Sequence, residues 1–303
     1  VAPPRGPRLD CDPLDLVERE CRGGVRSRLG RVRCGLGRRR DGQQASDPER
    51  QAERQREGSA RPLADKVRQV VSGTLASTKA TARVRIFMPH VELPFAGHPM
   101  LGSASVVREI FSAGDTLTLE TLSGIIPLIA QNDNWELTAA APQTRPLEFS
   151  TDRLAAALSL STADIGTPAM WVNTGVEQLL VPLNSVDALK RCQPMLALFD
   201  RPTRNQRGVV MIYLWVMDSD DHVTSRFFFE KSNGLCEDPG TGSACANLGG
   251  YLLKQNAAVP LEITVDQGAQ TGRPCRLNLR LDSAKNIKVS GKVTEFGRGE
   301  IFL

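Results

Sequence analysis

From residue 81 onward the chain carries two hydrophobic rhythms that are missing before it. TARVRIF places Ala82, Val84 and Ile86 on one side of an extended chain and Arg83, Arg85 and Phe87 on the other, the period of two expected of a half-buried strand. After a loop, Met100, Leu101, Ala104, Val107, Ile110 and Phe111 recur at helical spacing, with Gly114 closing the run. Pro99 suits the first turn of that helix, where a missing N–H costs no hydrogen bond. The same unit returns downstream. An apolar strand ends near Phe229, a loop carries EDPGTG, and Ala244, Leu248, Tyr251 and Leu252 share one face of a second helix. Each copy has a glycine at its turn, Gly97 or Gly240, and a Ser-Ala pair, Ser103-Ala104 or Ser243-Ala244, which suggests duplication. Further strands are predicted at DTLTLET, GIIPLIA, VEQLLVPL, GVVMIYLWVM, LEITVDQG, CRLNLRL and NIKVSGKV. Shorter amphipathic helices follow Ser150 (TDRLAAALSL) and Ser185 (VDALKRC), each serine standing at an N-cap. Many strands with one long helix per half predict an α+β protein in which each helix is wrapped by its own sheet.

Composition divides the 303 residues at the same place. Residues 1–80 hold 16 Arg but no Phe, Tyr, Trp, Ile, Met or His, and their 18 Lys and Arg outweigh 11 acidic groups. Such a stretch cannot bury enough apolar surface to offset the entropy of ordering, so it is expected to be a basic, low-complexity and disordered segment. The remainder carries 20 basic and 23 acidic side chains. Nucleic-acid binding is not expected, because the basic run has no interleaved aromatics and no recognition motif. Seven cysteines in unpaired spacing, without CxxC or HExxH, predict reduced thiols, no disulfide framework and no metal. No apolar run reaches the length of a membrane span and the first residues contain no secretion core, so the expected location is cytoplasmic and off the membrane.

The chemistry-bearing residues gather at the two turns. A helix start presents unpaired N–H groups and partial positive charge, and a glycine-rich turn lets a carboxylate or phosphate approach it. Gly240, Gly242 and Ser243 in GTGSA offer such a start, and the Ser243 hydroxyl can donate as well. His98, in Gly-His-Pro, is either a structural donor to a nearby carbonyl or an acid/base and carboxylate clamp. Asp238, in EDPGTG, is either an Asp-Pro turn former or a carboxyl that works beside a bound acid. Cys245 falls inside the second helix, where a buried packing thiol is expected rather than a nucleophile.

The segments VRIFMPHVELPFAGHPMLGSA and EDPGTGSACANLGGYLL, supported by WVNTGVEQLLVPL, VDQGAQTGRPCRLNLRL and VSGKVTEFGRGEIFL, resemble the PhzF-like family of phenazine-biosynthesis isomerases from about residue 80 to the end. The resemblance implies the diaminopimelate epimerase-like fold, two pseudo-symmetric halves, each a β-barrel-like sheet around a central helix, with the site in the cleft between them. It divides the chain into residues 1–80, a first half at 81–145 completed by 293–303, and a second half at 146–292. Related epimerases carry a cysteine at each turn. Here Ala96 and Pro239 hold those places, so a two-cysteine racemase is not expected. The family implies a cationic or proton-donating role for His98 and a carboxyl role for Asp238. Gly97, Gly242 and Ser243 would hold the substrate carboxylate, with Gly240 and Thr241 completing the second turn. The implied reaction is a proton shift along a hydroxy-cyclohexadiene carboxylate without metal or cofactor, in a homodimer. The family's shuttling glutamate, in Asn-x-Ser-Glu ahead of the Gly-His-Pro turn, has no counterpart: residues 1–80 contain no asparagine. That loss coincides with the composition break, as it would if the upstream sequence were out of frame or replaced, and it predicts compromised activity. Neither Glu92 nor Glu237 is favoured as a substitute base. The remaining readings are a small-acid-binding member without catalysis and an epimerase-like enzyme.

Overall fold

The computed structural model describes residues 70–74, 79–88, 91–93, 95–231 and 234–295. The chain opens with β1 (Val70–Thr74), β2 (Ala82–Met88) and the short β3 (Val91–Leu93), then α1 (Gly97–Ile110) and the meander β4 (Thr116–Thr121), β5 (Gly124–Gln131) and β6 (Asn134–Thr138). Next come β7 (Gln143–Pro146), α2 (Thr151–Ala157), β8 (Met170–Asn173), β9 (Glu177–Pro182) and α3 (Val186–Arg191). The last third runs through β10 (Met211–Ser219), β11 (His222–Lys231), β12 (Gly234–Asp238), α4 (Gly242–Lys254), β13 (Leu261–Gln267), β14 (Cys275–Leu281) and β15 (Ile287–Lys292). All described strands join one sheet, in the order β1-β2-β4-β5-β6-β15-β14-β13-β11-β10-β9-β8-β7, with β3 on β2 and β12 on β11.

The duplication read from the sequence is visible in the pairing. β2 is antiparallel to β1 and to β3, and after α1 the chain returns as β4, parallel to β2. β11 is likewise antiparallel to β10 and β12, and after α4 the chain returns as β13, parallel to β11. Two antiparallel strands complete each unit, β5 and β6 in one, β14 and β15 in the other. The units are joined edge to edge where β6 pairs with β15. Arg280 of β14 reaches over β15 to Glu136 of β6, with an Nη2–Oε1 distance of 2.6 Å, and so ties the seam.

Alternation decides which face each strand buries. Ala82, Val84 and Ile86 of β2 pack with Met100, Ala104 and Val107 of α1. In the second unit both sheet faces are covered. Tyr213, Val223 and Phe227 point to α4, whereas Ile212, Leu214 and Phe228 point to α2 and α3. Ser150 and Ser185 cap α2 and α3 as expected, accepting from the backbone N–H of Arg153 and Ala188.

The structure adds β3, β6, β7, β8 and β12 to the predicted strands and differs from the sequence reading at three further elements. Val70–Thr74, inside the stretch read as low complexity, form β1: the β-branched Val70-Val71 starts a strand whose backbone pairs along β2 from Phe87 to Arg83. Residues 1–69 and 75–78 of the expected disordered segment, and residues 296–303 of the first half's expected completion, lie outside the described residues. Helix α1 stops at Ile110 through Ser112, whose φ of 48° ends the turn, and not through Gly114. Ile110 and Phe111 are therefore 60% and 48% exposed rather than on the buried face, because Met100, Ala104 and Val107 already span the sheet beneath them. Helix α2 is shorter than TDRLAAALSL and closes at Leu158 and Ser159, the latter at φ 58°. Among the described residues no helix is long and apolar enough to cross a membrane.

Candidate active site

The repeated topology points two helix starts at each other. A β-carbon placed on Gly97, the first residue of α1, would lie 3.9 Å from the Cα of Gly242, the first residue of α4. A β-carbon on Gly242 would meet no heavy atom within 4 Å, so the space in front of α4 is open. Neither helix is capped by the side chain of its N-cap residue, Ala96 or Thr241. The positive ends of both helices, with first-turn amides of Gly97, His98, Gly242 and Ser243, thus lie close together.

His98 and Asp238 belong to the two segments that lead into these helix starts. His98 is the second residue of α1, and Asp238 ends β12, four residues ahead of α4. The His98 ring keeps an exposed edge, but the surrounding protein strips enough water from it to lower its pKa below 6.5. The negative charge of Asp238 acts on His98 in the opposite direction, so the two groups lie within electrostatic reach. The two residues stand 140 positions apart in the sequence.

The glycines serve different purposes. Gly97 and Gly242 leave the approach between the helices clear. Gly240 faces protein: a β-carbon there would come within 2.5 Å of the Cys275 thiol, so its side-chain space is already filled. Thr241 does not present a free hydroxyl either, since Oγ1 donates to Asp238 Oδ2 and accepts from Gln267 Nε2 at 3.0 Å. Ser243 Oγ accepts from Gln178 Nε2 at 3.0 Å, which leaves its proton to be donated.

Glu92 and Glu237 are committed elsewhere. Each takes two hydrogen bonds from one arginine, Glu92 from Arg85 at 2.9 and 2.8 Å and Glu237 from Arg226 at 3.0 and 2.8 Å. Those donated bonds hold the Glu92 carboxyl below its ordinary pKa, which suits an ion pair rather than a base. Burial pushes the Cys245 thiol up to about 12, as befits a packing residue in the core of α4.

Three buried amides supporting the site were not singled out from the sequence. Gln178 and Asn247 form a network beneath Ser243: Asn247 donates to Gln178 Oε1 and to the Val176 carbonyl, both at 2.8 Å, and accepts from the amide and hydroxyl of Thr174. Gln267 holds the other side of the turn. The available signal was periodicity, because Gln267 continues the inward series Ile263, Val265 of β13 and Asn247 lies among the buried positions of α4. A polar group on an apolar face must find partners.

This arrangement is the diaminopimelate epimerase-like α+β fold that the resemblance implied. Comparison with known proteins agrees. The profile of the family described as "Phenazine biosynthesis-like protein" matches residues 70–299, and the chain belongs to that PhzC-PhzF family. An uncharacterized isomerase of Pasteurella multocida is 38% identical over 229 residues, covering 75% of this chain and 76% of the relative. The trans-2,3-dihydro-3-hydroxyanthranilate isomerase of Pseudomonas aeruginosa is 32% identical over 238 residues, covering 73% and 80%. Among solved structures, a PhzF-family phenazine biosynthesis protein of Bacillus anthracis has a TM-score of 0.65 at 24% identity, covering 82% of this chain and 89% of that one. The family match begins at Val70, the first residue of β1, ten residues earlier than the sequence motifs suggested.

Proposed function

We propose that the chain is an isomerase scaffold that grips a small cyclic carboxylic acid between the N-termini of α1 and α4 and moves one of its hydrogens. The supporting observation is the close approach of Gly97 and Gly242 at the two helix starts, with Asp238 acting electrostatically on His98. An anion is stabilised there by two positive helix ends and by the donatable Ser243 proton. Desolvation lowers the His98 pKa and the Asp238 charge opposes that shift, so the ring gains a proton more readily once a carboxylate lies beside it. The substrate class follows the named relative: a dihydro-hydroxyanthranilate. In such a shift one C–H bond breaks, its electron pair moves along the diene, and a new C–H bond forms at the far carbon, so composition is unchanged. Neither a metal nor an organic cofactor is required by that balance. The dimer and the cytoplasmic setting that the resemblance implies belong to the same proposal.

A second reading, acid binding without turnover, is favoured by one observation: residues 1–80 contain no Asn-x-Ser-Glu. Incubating the chain with trans-2,3-dihydro-3-hydroxyanthranilate in deuterated water separates the two. Deuterium entering the ring at a rate that falls at least about 100-fold in His98→Ala or Asp238→Ala supports the isomerase. Saturable binding with no deuterium uptake supports the binder. No binding at all overturns both.

A further inference from the structure

We propose that Gln267 is a positioning residue whose carboxamide aims the Thr241 hydroxyl at Asp238 and thereby keeps the first turn of α4 free for a substrate anion. The inference rests on the functional reading above. It concerns a residue that is 2% exposed and lies beneath the crevice rather than in it.

The amide can sit only one way round. Its Nε2 is 2.7 Å from the Asp238 backbone carbonyl, which can only accept, and its Oε1 is 3.3 Å from the Thr241 backbone N–H, which can only donate. With that orientation fixed, Nε2 also donates to Thr241 Oγ1 at 3.0 Å. A hydroxyl has one proton. Having accepted from Gln267, Thr241 gives its proton to Asp238 Oδ2, and the side-chain carboxyl is held in place beside His98.

The same contacts explain a missing cap. A threonine at an N-cap ordinarily accepts from a backbone N–H in the first turn of its own helix. Thr241 makes no such bond. Its oxygen is engaged by two partners, Gln267 and Asp238, which leaves the Ser243 amide, a donor such a cap would take, available to a ligand. Cutting Gln267 back would therefore release a competitor for the anion's donors as well as loosen Asp238. The backbone around Gln267 is correspondingly tight. Gly268 next to it has φ 84°, and a β-carbon there would lie 2.5 Å from the Pro239 carbonyl oxygen.

The test follows the His98 ring by nuclear magnetic resonance, with histidine-labelled protein, resonances assigned through His98→Asn, and 3-hydroxyanthranilate as the ligand probe. In Gln267→Met and in Thr241→Val, the proton affinity of His98 is expected to fall about threefold, a midpoint shift of about half a unit. In the double variant it should fall no further, because both changes cut one chain of contacts. Affinity for 3-hydroxyanthranilate should fall about tenfold in Gln267→Met. A wild-type His98 midpoint in Gln267→Met or in Thr241→Val overturns the proposal, and so do single shifts that add in the double variant. Should Gln267→Met not fold, Thr241→Val alone decides through the same midpoint. Failure of the wild-type chain to bind 3-hydroxyanthranilate counts against the functional reading and leaves the titration result to judge Gln267.

Discussion

A histidine used for fastening behaves differently from one that faces a crevice. His222 lies between two carboxylates, with Nδ1 2.5 Å from Asp218 Oδ1 and Nε2 3.2 Å from Asp266 Oδ2. The hydrogen bond with Asp218 is the largest cause raising its pKa above 6.5. A raised folded pKa means that the native state holds the proton more tightly than the unfolded chain. The stabilisation is then fully present below about pH 6.5 and disappears as pH climbs through the folded value. Urea unfolding of wild type and His222→Gln should differ by about 0.5–1 kcal/mol at pH 6, with the gap closing as pH rises through the raised folded value. His98 has the opposite sign. Its lowered pKa makes the native state the poorer proton binder, so its part in stability declines as pH drops below 6.5.

At the level of elements, one side chain links an outer helix to the strand that delivers Asp238. Arg226 of β11 is 7% exposed, and its Nη1 donates to the carbonyls of Leu189 and Cys192 at the C-terminal end of α3, at 2.9 and 2.8 Å. Its Nε and Nη2 take both oxygens of Glu237 on β12. The guanidinium thus satisfies carbonyls that a helix end leaves over while pinning the residue before Asp238. Arg226→Met strands the partly buried Glu237 carboxylate and two helix-end carbonyls and should lower stability by about 2–4 kcal/mol in thermal unfolding. Arg226→Lys should recover little of it, since an ammonium cannot span a bidentate carboxylate and two carbonyls together. Helix termini show how far local rules reach. Ser150 and Ser185 cap as their spacing predicts, yet Ser112 and not Gly114 ends α1, because a single αL residue suffices wherever the chain leaves the sheet.

For the molecule as a whole, the two central helices are covered unequally among the described residues. Nine consecutive residues of α4, Ala244 to Leu252, are buried, since β8 and β9 extend the sheet over its far side and contribute Met170, Val172 and Leu180 to the same core. Helix α1 buries five residues and exposes Val106, Ile110 and Phe111. Equal truncations should register the difference. Leu248→Ala, at a position with no exposure, is expected to cost about 2–5 kcal/mol in urea unfolding, against less than about 0.5–1 kcal/mol for Ile110→Ala.

What the sequence determined by itself was what repeats over a few residues: the longer strands, the two strand-loop-helix units, the serine caps, and the glycine, histidine and aspartate at the turns, since propensity, periodicity and capping act within one turn or pleat. Tertiary structure decided what those residues face. It set Gly97 against Gly242 and Asp238 near His98, turned Gly240 toward Cys275, and assigned Gln178, Asn247 and Gln267 to the underside of the site. Such partners lie tens of residues or more apart along the chain. Only the closing of one sheet around both helices makes them neighbours, and a local pattern carries no record of that distance.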